Sequence, residues 1–165
     1  MYLDPSSDIF QGDIIDKFLF ATIPQTPNDT YSINEILPDS FTVRPNLIYR
    51  QAMIITQTCD AVRRQFLSVA PIFPIQSYID ALKAAGKKDE NILGELSQLK
   101  KQKINYYYYV PEDVPRGVHE GYVDLTIVNP LERAAITPLK RIAKLEDYQR
   151  HVLAYKLGNL FMRPH

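Results

Sequence analysis

Apolar and polar side chains alternate along this chain in short runs. Tyr122–Val128 (YVDLTIV) sets Val123, Leu125 and Ile127 against Asp124 and Thr126, the period of two expected of a half-buried strand. Asp13–Ile23, Leu47–Thr56, Phe66–Ile75 and Ile104–Val110 are rich in β-branched and aromatic residues and predict four more strands. Pro71 and Pro74 interrupt the third of these, which is therefore expected to end at a sheet edge. A short sixth strand is expected near Ala134–Thr137. The period then changes. Ser77–Lys103 predicts two helices split at Gly86–Asp89, the second carrying Ile92, Leu93, Leu96 and Leu99 on one stripe. A last helix is predicted over about Leu145–Met162, with Glu146 and Asp147 in its first turn and Pro164 beyond its end. The sum is an α+β chain: a small bent antiparallel sheet or SH3-like barrel, with a helical insertion and a C-terminal helix. A single domain over residues 1–165 is expected. Its β core covers about 10–75 and 104–138, its insertion about 76–103 and its closing helix about 145–162.

Composition narrows the functions. Of 165 residues 45% are hydrophobic, enough for a packed core and against disorder. No stretch is long and apolar enough to predict a membrane span. Nineteen Lys+Arg balance nineteen Asp+Glu, which disfavours a uniformly basic nucleic-acid binder. The balance hides a gradient: net −5 over residues 1–60, +1 over 61–138 and +4 over 139–165. A local nucleic-acid role on the basic C-terminal part stays open, and charge-complementary association becomes easier. Cys59 is the lone cysteine, so no intrachain disulfide and no cysteine-based zinc site is expected. The start, MYLDPSSDIFQGD, has no basic, apolar leader, so a cytoplasmic location is expected. No phosphate-cradling glycine loop, His-Glu-x-x-His, Gly-x-Ser-x-Gly or dinucleotide fingerprint occurs. No cofactor and no metal are expected.

One segment stands out. Met53–Asp60 (MIITQTCD) is an apolar strand delivering small polar side chains and then Cys59 and Asp60. Gly12-Asp13-Ile14-Ile15 lies upstream and Val69-Ala70-Pro71-Ile72 downstream. This order, closed by Phe161-Met162-Arg163-Pro164, resembles a family of small uncharacterised bacterial proteins without a settled activity. The Gly-Asp-Ile opening, the AMIIT strand and the Val-Ala-Pro-Ile strand also resemble the MazF/PemK toxin barrels, SH3-like dimers that cut RNA. That resemblance implies an Arg and a Ser/Thr near the strand end, for which Arg44, Arg50, Thr56 and Thr58 are the candidates here. Arg44-Pro45 departs from the toxin pattern because it lies well before Ala52, and the helical insertion is a second departure.

Other residues have two readings each. Cys59 is a small buried hydrophobe at a strand end, or a nucleophile served by His119. Asp60 starts a turn, or binds a metal with Asp13 or Asp16. Lys100-Lys101-Gln102-Lys103 followed by Tyr106, Tyr107, Tyr108 and Tyr109 mixes cations and rings, as nucleic-acid readers do. The same tyrosines, alternating in a strand, would present an outward pair fit for a protein partner. Arg141 and Lys144 are basic interface candidates. The leading expectation is a non-catalytic bacterial accessory or binding protein working through a protein interface, with a protein partner or a second copy. Its mobile-element, toxin–antitoxin or defence setting comes from the resemblance. RNA or DNA is not favoured in this reading, and neither is catalysis. The alternative is a MazF-like RNA-binding or ribonuclease-like barrel using Arg50, Thr56, Thr58 and either Asp60 or His119 around one cleft.

Overall fold

The computed structural model describes residues 1–22, 46–136 and 141–161. Among these, the strands are β1 (Tyr2–Leu3), β2 (Ile14–Thr22), β3 (Asn46–Ile54), β4 (Phe66–Pro74), β5 (Tyr107–Val110), β6 (Gly121–Asp124), β7 (Asn129–Glu132) and β8 (Arg141–Leu145), of which β2 to β6 fall on the five predicted runs. Helices α1 (Thr58–Ala61), α2 (Ile75–Ala84), α3 (Asp89–Lys100) and α4 (Asp147–Phe161) complete the α+β set. The sheet is antiparallel, in the order β1-β8-β2-β3-β4-β6-β5 with β7 added to β4, and curls into a half-barrel. The helical pair α2–α3 lies between β4 and β5, where the insertion is expected.

Neighbouring residues on the central strands serve different cores. Ile14, Met53, Ala70 and Ile72 join one cluster with Tyr108, Val123, Leu153 and Leu157. Ile15, Ala52, Ile54, Leu67 and Val69 join a second with Phe18, Phe20 and Leu131. Both faces are covered at Ile14–Ile15, Ala52–Ile54 and Val69–Ile72, which is why these stretches are unbroken apolar runs, while Leu19, Leu47 and Tyr49 further along β2 and β3 are exposed. Each fully buried Ile or Leu contributes roughly 1.5–3 kcal/mol, so these three strands are the anchor of the fold.

Several boundaries differ from expectation, each for a local reason. β4 is central rather than an edge: Leu67 and Val69 pair with β7, Val69 to Pro71 with β3, and Ile72 to Pro74 with β6. Pro71 is tolerated because its missing N–H falls where β4 changes partner. β6 stops at Asp124, whose Oδ1 accepts from the Thr126 backbone N–H (2.9 Å) and hydroxyl (2.6 Å). Arg133–Ile136 forms a 3-10 turn instead of a sixth strand, and Thr137 lies outside the described residues. Leu145 belongs to β8, not to the last helix; Glu146 is tied to the chain start through Met1 O (3.1 Å) and the Met1 amino group (2.7 Å). Ile23, Arg44, the prolines at 24, 27, 38 and 45, and residues 162–165 also lie outside the described residues.

The Gly-Asp-Ile opening has a structural job. Gly12 has φ +90°, and a Cβ there would sit 2.7 Å from Leu145 Cδ1. Asp13, fully buried, accepts on Oδ2 from the Phe10 N–H (3.1 Å) and from Arg141 (2.9 Å). Arg141 also donates to the carbonyls of Ser6, Ser7 and Asp8. Burial raises the Asp13 carboxyl above the usual carboxylate range, against the pull of Phe10 N–H and Arg141. At the other end, Lys156 on α4 is 4% exposed and donates to the carbonyls of Ile104 (2.6 Å) and Tyr107 (2.8 Å). Burial lowers its pKa to about 8.

Candidate functional site

β3 and β4 pair only as far as Ala52–Pro71 among the described residues. Before Ala52, β3 stays with β2; beyond Pro71, β4 pairs with β6. The two strands therefore fork, and a cleft of about 400 Å³ opens between them. Its lining includes Asp16 and Lys17 of β2, Tyr49, Arg50 and Gln51 of β3, and His119 and Glu120 of the loop before β6.

Each side chain is placed by a local cause. β2 loses register between Ile15 and Phe18, and Lys17 in that bulge has φ +55°. Tyr49 is 69% exposed at the rim. Arg50 lies across from Phe18 in the ladder, its guanidinium 5.4 Å from the centre of the Phe73 ring, which steadies the cation at the fork. Gln51 is 7% exposed and spends its whole amide on the facing loop. Its Nε2 donates to Gly117 O (2.7 Å) and its Oε1 accepts from the His119 N–H (3.1 Å). That loop closes on itself through Asp113 and Val118, which exchange backbone hydrogen bonds of 3.0 Å. Glu120 accepts from Tyr109 OH (2.6 Å) and pairs with Lys100 (2.9 Å). The Lys100 and Tyr109 hydrogen bonds hold the Glu120 carboxyl below its ordinary range, so it is a fixed anion and a poor proton acceptor.

The cleft brings together Arg50, His119 and Asp16, whereas Thr56, Thr58, Cys59 and Asp60 are not among its lining residues. Thr56 accepts from the Ser68 N–H (2.6 Å), and Thr58, the first residue of α1, accepts from the Gln11 N–H (3.3 Å). These hydroxyls satisfy backbone donors. Cys59 is exposed, with Sγ 3.9 Å from Gln57 Oε1, and is not a buried strand-end residue. Asp60 lies in α1, where its carboxylate pairs with Arg64 (3.1 Å) and its backbone carbonyl, not its side chain, accepts from the Arg63 and Arg64 N–H groups. Thr56 and Asp60 border a separate groove of about 490 Å³ beside α4, with Gln57, Phe66 and Phe161. Among the described residues no cluster of three or more His, Cys, Asp or Glu side chains fit for a metal occurs.

The tyrosine run splits by period. Tyr108 is fully buried, while Tyr107 packs edge-on against Tyr78 of α2 (5.6 Å) and Tyr122 (5.1 Å). Tyr109 has its ring 5.5 Å from Lys100 Nζ, and its backbone is clamped by the Gln102 amide. Tyr106 is exposed just before β5 and packs on Tyr107. The rings of Tyr107 and Tyr122 thus seat the helical insertion. Arg141 is committed to Asp13, and Lys144 lies 4.7 Å from the Phe10 ring.

Sequence reasoning missed Lys17, Tyr49, Gln51 and Glu120. Lys17 stands in the middle of an apolar run, where a bulge is one explanation for an isolated charge. Gln51 stands between Arg50 and the apolar Ala52–Ile55, a buried amide that needs partners.

No protein-family model and no curated protein matches the chain. Among solved structures it is similar to MazF from Deinococcus radiodurans, at 11% identity and a TM-score of 0.46, covering 96% of this chain and 100% of that one. It is also similar to a MazE–MazF structure from the same organism, at 11% identity and a TM-score of 0.43, covering 94% of this chain and 96% of that one. At this identity the likeness is one of chain course. These neighbours stand with the alternative of a MazF-like barrel and against the leading expectation of a non-catalytic accessory protein. No helix among the described residues is long and apolar enough to cross a membrane.

Proposed function

We propose that this chain is a MazF-like RNA-binding and RNA-cleaving protein that works in the cleft between β3 and β4. The observation that carries the reading is that Arg50 and His119, 69 positions apart in sequence, line the same cleft. A guanidinium presents a planar fork of donors to a phosphate. An imidazole is the side chain suited to moving protons near neutral pH. In this mechanism the ribose 2′ oxygen attacks the adjacent phosphorus and its proton passes to the His119 ring. The P–O5′ bond breaks, and water protonates the departing 5′ oxygen. The products are a 2′,3′-cyclic phosphate and a 5′ hydroxyl. Arg50 stabilises the charge that builds on the phosphoryl oxygens. Glu120, held ionised, favours the imidazolium that forms. The proposal keeps residues 1–165 as one domain in a cytoplasmic setting, with a protein partner or second copy in a toxin–antitoxin pair.

The test is cleavage of purified RNA by the wild type and by Arg50→Ala and His119→Ala, with growth followed on expression. His119→Ala is expected to lose roughly 10²- to 10⁴-fold in rate, and Arg50→Ala roughly 10²- to 10³-fold. Intact RNA and unaffected growth with the wild type would overturn the reading.

A further inference from the structure

We propose that Lys17, carried by the β2 bulge, is a second phosphate-binding position, taking the phosphate next to the one held by Arg50. This rests on the RNA reading of the cleft and narrows its ligand to a strand with successive phosphates, as opposed to a mononucleotide or free phosphate. Lys17 is one of two non-glycine residues with positive φ among the described residues, at +55°. A left-handed backbone is costly for a side chain with a Cβ, and glycine occupies it freely. Asn or Asp would gain a local hydrogen bond there, and lysine does not. Lysine is therefore a poor choice for the backbone alone, which points to the use of its side chain.

The bulge supplies that use. It adds a residue between the Ile15–Ala52 and Phe18–Arg50 pairs, and bulges of this kind re-aim a side chain. Lys17 lines the same cleft as Arg50 from the neighbouring strand. Adjacent and diagonal positions across paired strands lie about 5–8 Å apart, the scale on which phosphates follow one another along a flexible single strand. Tyr49, exposed beside both cations, offers a ring face to the base between them. Two carboxylates share the cleft. Glu120 is compensated by Lys100, and Asp16 sits beside Lys17 in the chain, where it sets a limit on how many phosphates the cleft accepts.

The experiment compares wild type, Lys17→Gly, Lys17→Gln and Arg50→Ala. The probes are an RNA dinucleotide with one phosphate and a fluorescent heptanucleotide made uncleavable by 2′-deoxy sugars. Binding is followed by anisotropy across a salt series, and thermal melting is recorded for each variant. Lys17→Gly is expected to melt no lower than the wild type and higher than Lys17→Gln, because the strained backbone is relieved. Both variants should bind the heptanucleotide roughly tenfold more weakly, the effect of one charge-assisted contact, with a salt slope shallower by about 1. Dinucleotide binding should be unchanged. Wild-type affinity and slope for the heptanucleotide in Lys17→Gly would overturn this proposal alone. Absence of RNA binding by the wild type, or indifference to Arg50→Ala, would remove the RNA reading itself.

Discussion

Gln51→Leu separates positioning from chemistry in this cleft. Leucine matches the buried volume of glutamine and cannot hold the loop. Two hydrogen bonds vanish, at 2.7 Å to Gly117 O and 3.1 Å from the His119 N–H. Each is worth about 1 kcal/mol net. Gly117 and His119 are exposed, so water replaces part of what is lost and the cavity term is small. The expected loss of stability is about 1.5 kcal/mol, or about 5 °C in melting temperature for a chain of this size. Asp113 and Val118 still close the loop on itself, so it should stay folded but drift from Arg50. A displacement near 1 Å costs on the order of 10²-fold in rate. The assay is steady-state cleavage of a short RNA, with hydrogen exchange at the His119 amide. The expected pattern is kcat down about 10²-fold, KM nearly constant because Arg50 still holds phosphate, and faster exchange at His119. Wild-type kcat in Gln51→Leu alongside an inactive His119→Ala would refute the clamp.

Further outcomes follow from other parts of the molecule. At Gly121 a Cβ would lie 2.3 Å from the Phe73 carbonyl oxygen, so Gly121→Ala must push β4 from β6; urea unfolding should show a loss of about 3 kcal/mol or more. Lys156, lowered to about 8 from its ordinary 10.5, binds its proton more weakly when folded, so stability should rise as pH climbs from about 8 towards 10. Tyr78 and Tyr107, pushed up from 10.0 to about 12 by burial, keep protons that the unfolded chain releases, so stability should fall again above pH 10. In urea titrations Lys156→Met should abolish the rise; a rise that persists would show that another group causes it. Cys59→Ser should leave stability within about 0.5 kcal/mol and RNA cleavage unchanged, while iodoacetamide labels the folded wild type at this exposed thiol; a large loss of cleavage would restore a role for the sulfur.

The fold was legible where periodicity is a local property. β2, β3, the helical pair and α4 follow from apolar spacing, and the continuous runs of the central strands reflect a core on each face. β8 was not legible, because Arg141–Leu145 resembles a solvated start of the last helix until Arg141 meets Asp13. The edge assigned to β4 failed because proline bars only one ladder bond, and a strand that changes partners can place its proline at the change. Arg50 and His119 stood out as residue types, but their meeting depends on the fork. The hydroxyls of Thr56 and Thr58 drew attention for a real reason, since polar groups at a strand end need partners. Backbone N–H groups, not a ligand, supply them.

The Ala52–Pro71 pair is also the point at which the sheet divides. One cover of the cleft belongs to the β2–β3 ribbon and the other to β4, β6 and β5. No ladder bond joins β3 to β4 beyond that pair among the described residues, while Ile14 and Met53 of one cover share a core cluster with Val123 and Tyr108 of the other. Across the opening itself the contacts are made by side chains: Arg50 resting on Phe73 and the Gln51 amide reaching to the loop. A gap latched by two side chains can be retuned by single substitutions without rebuilding the sheet.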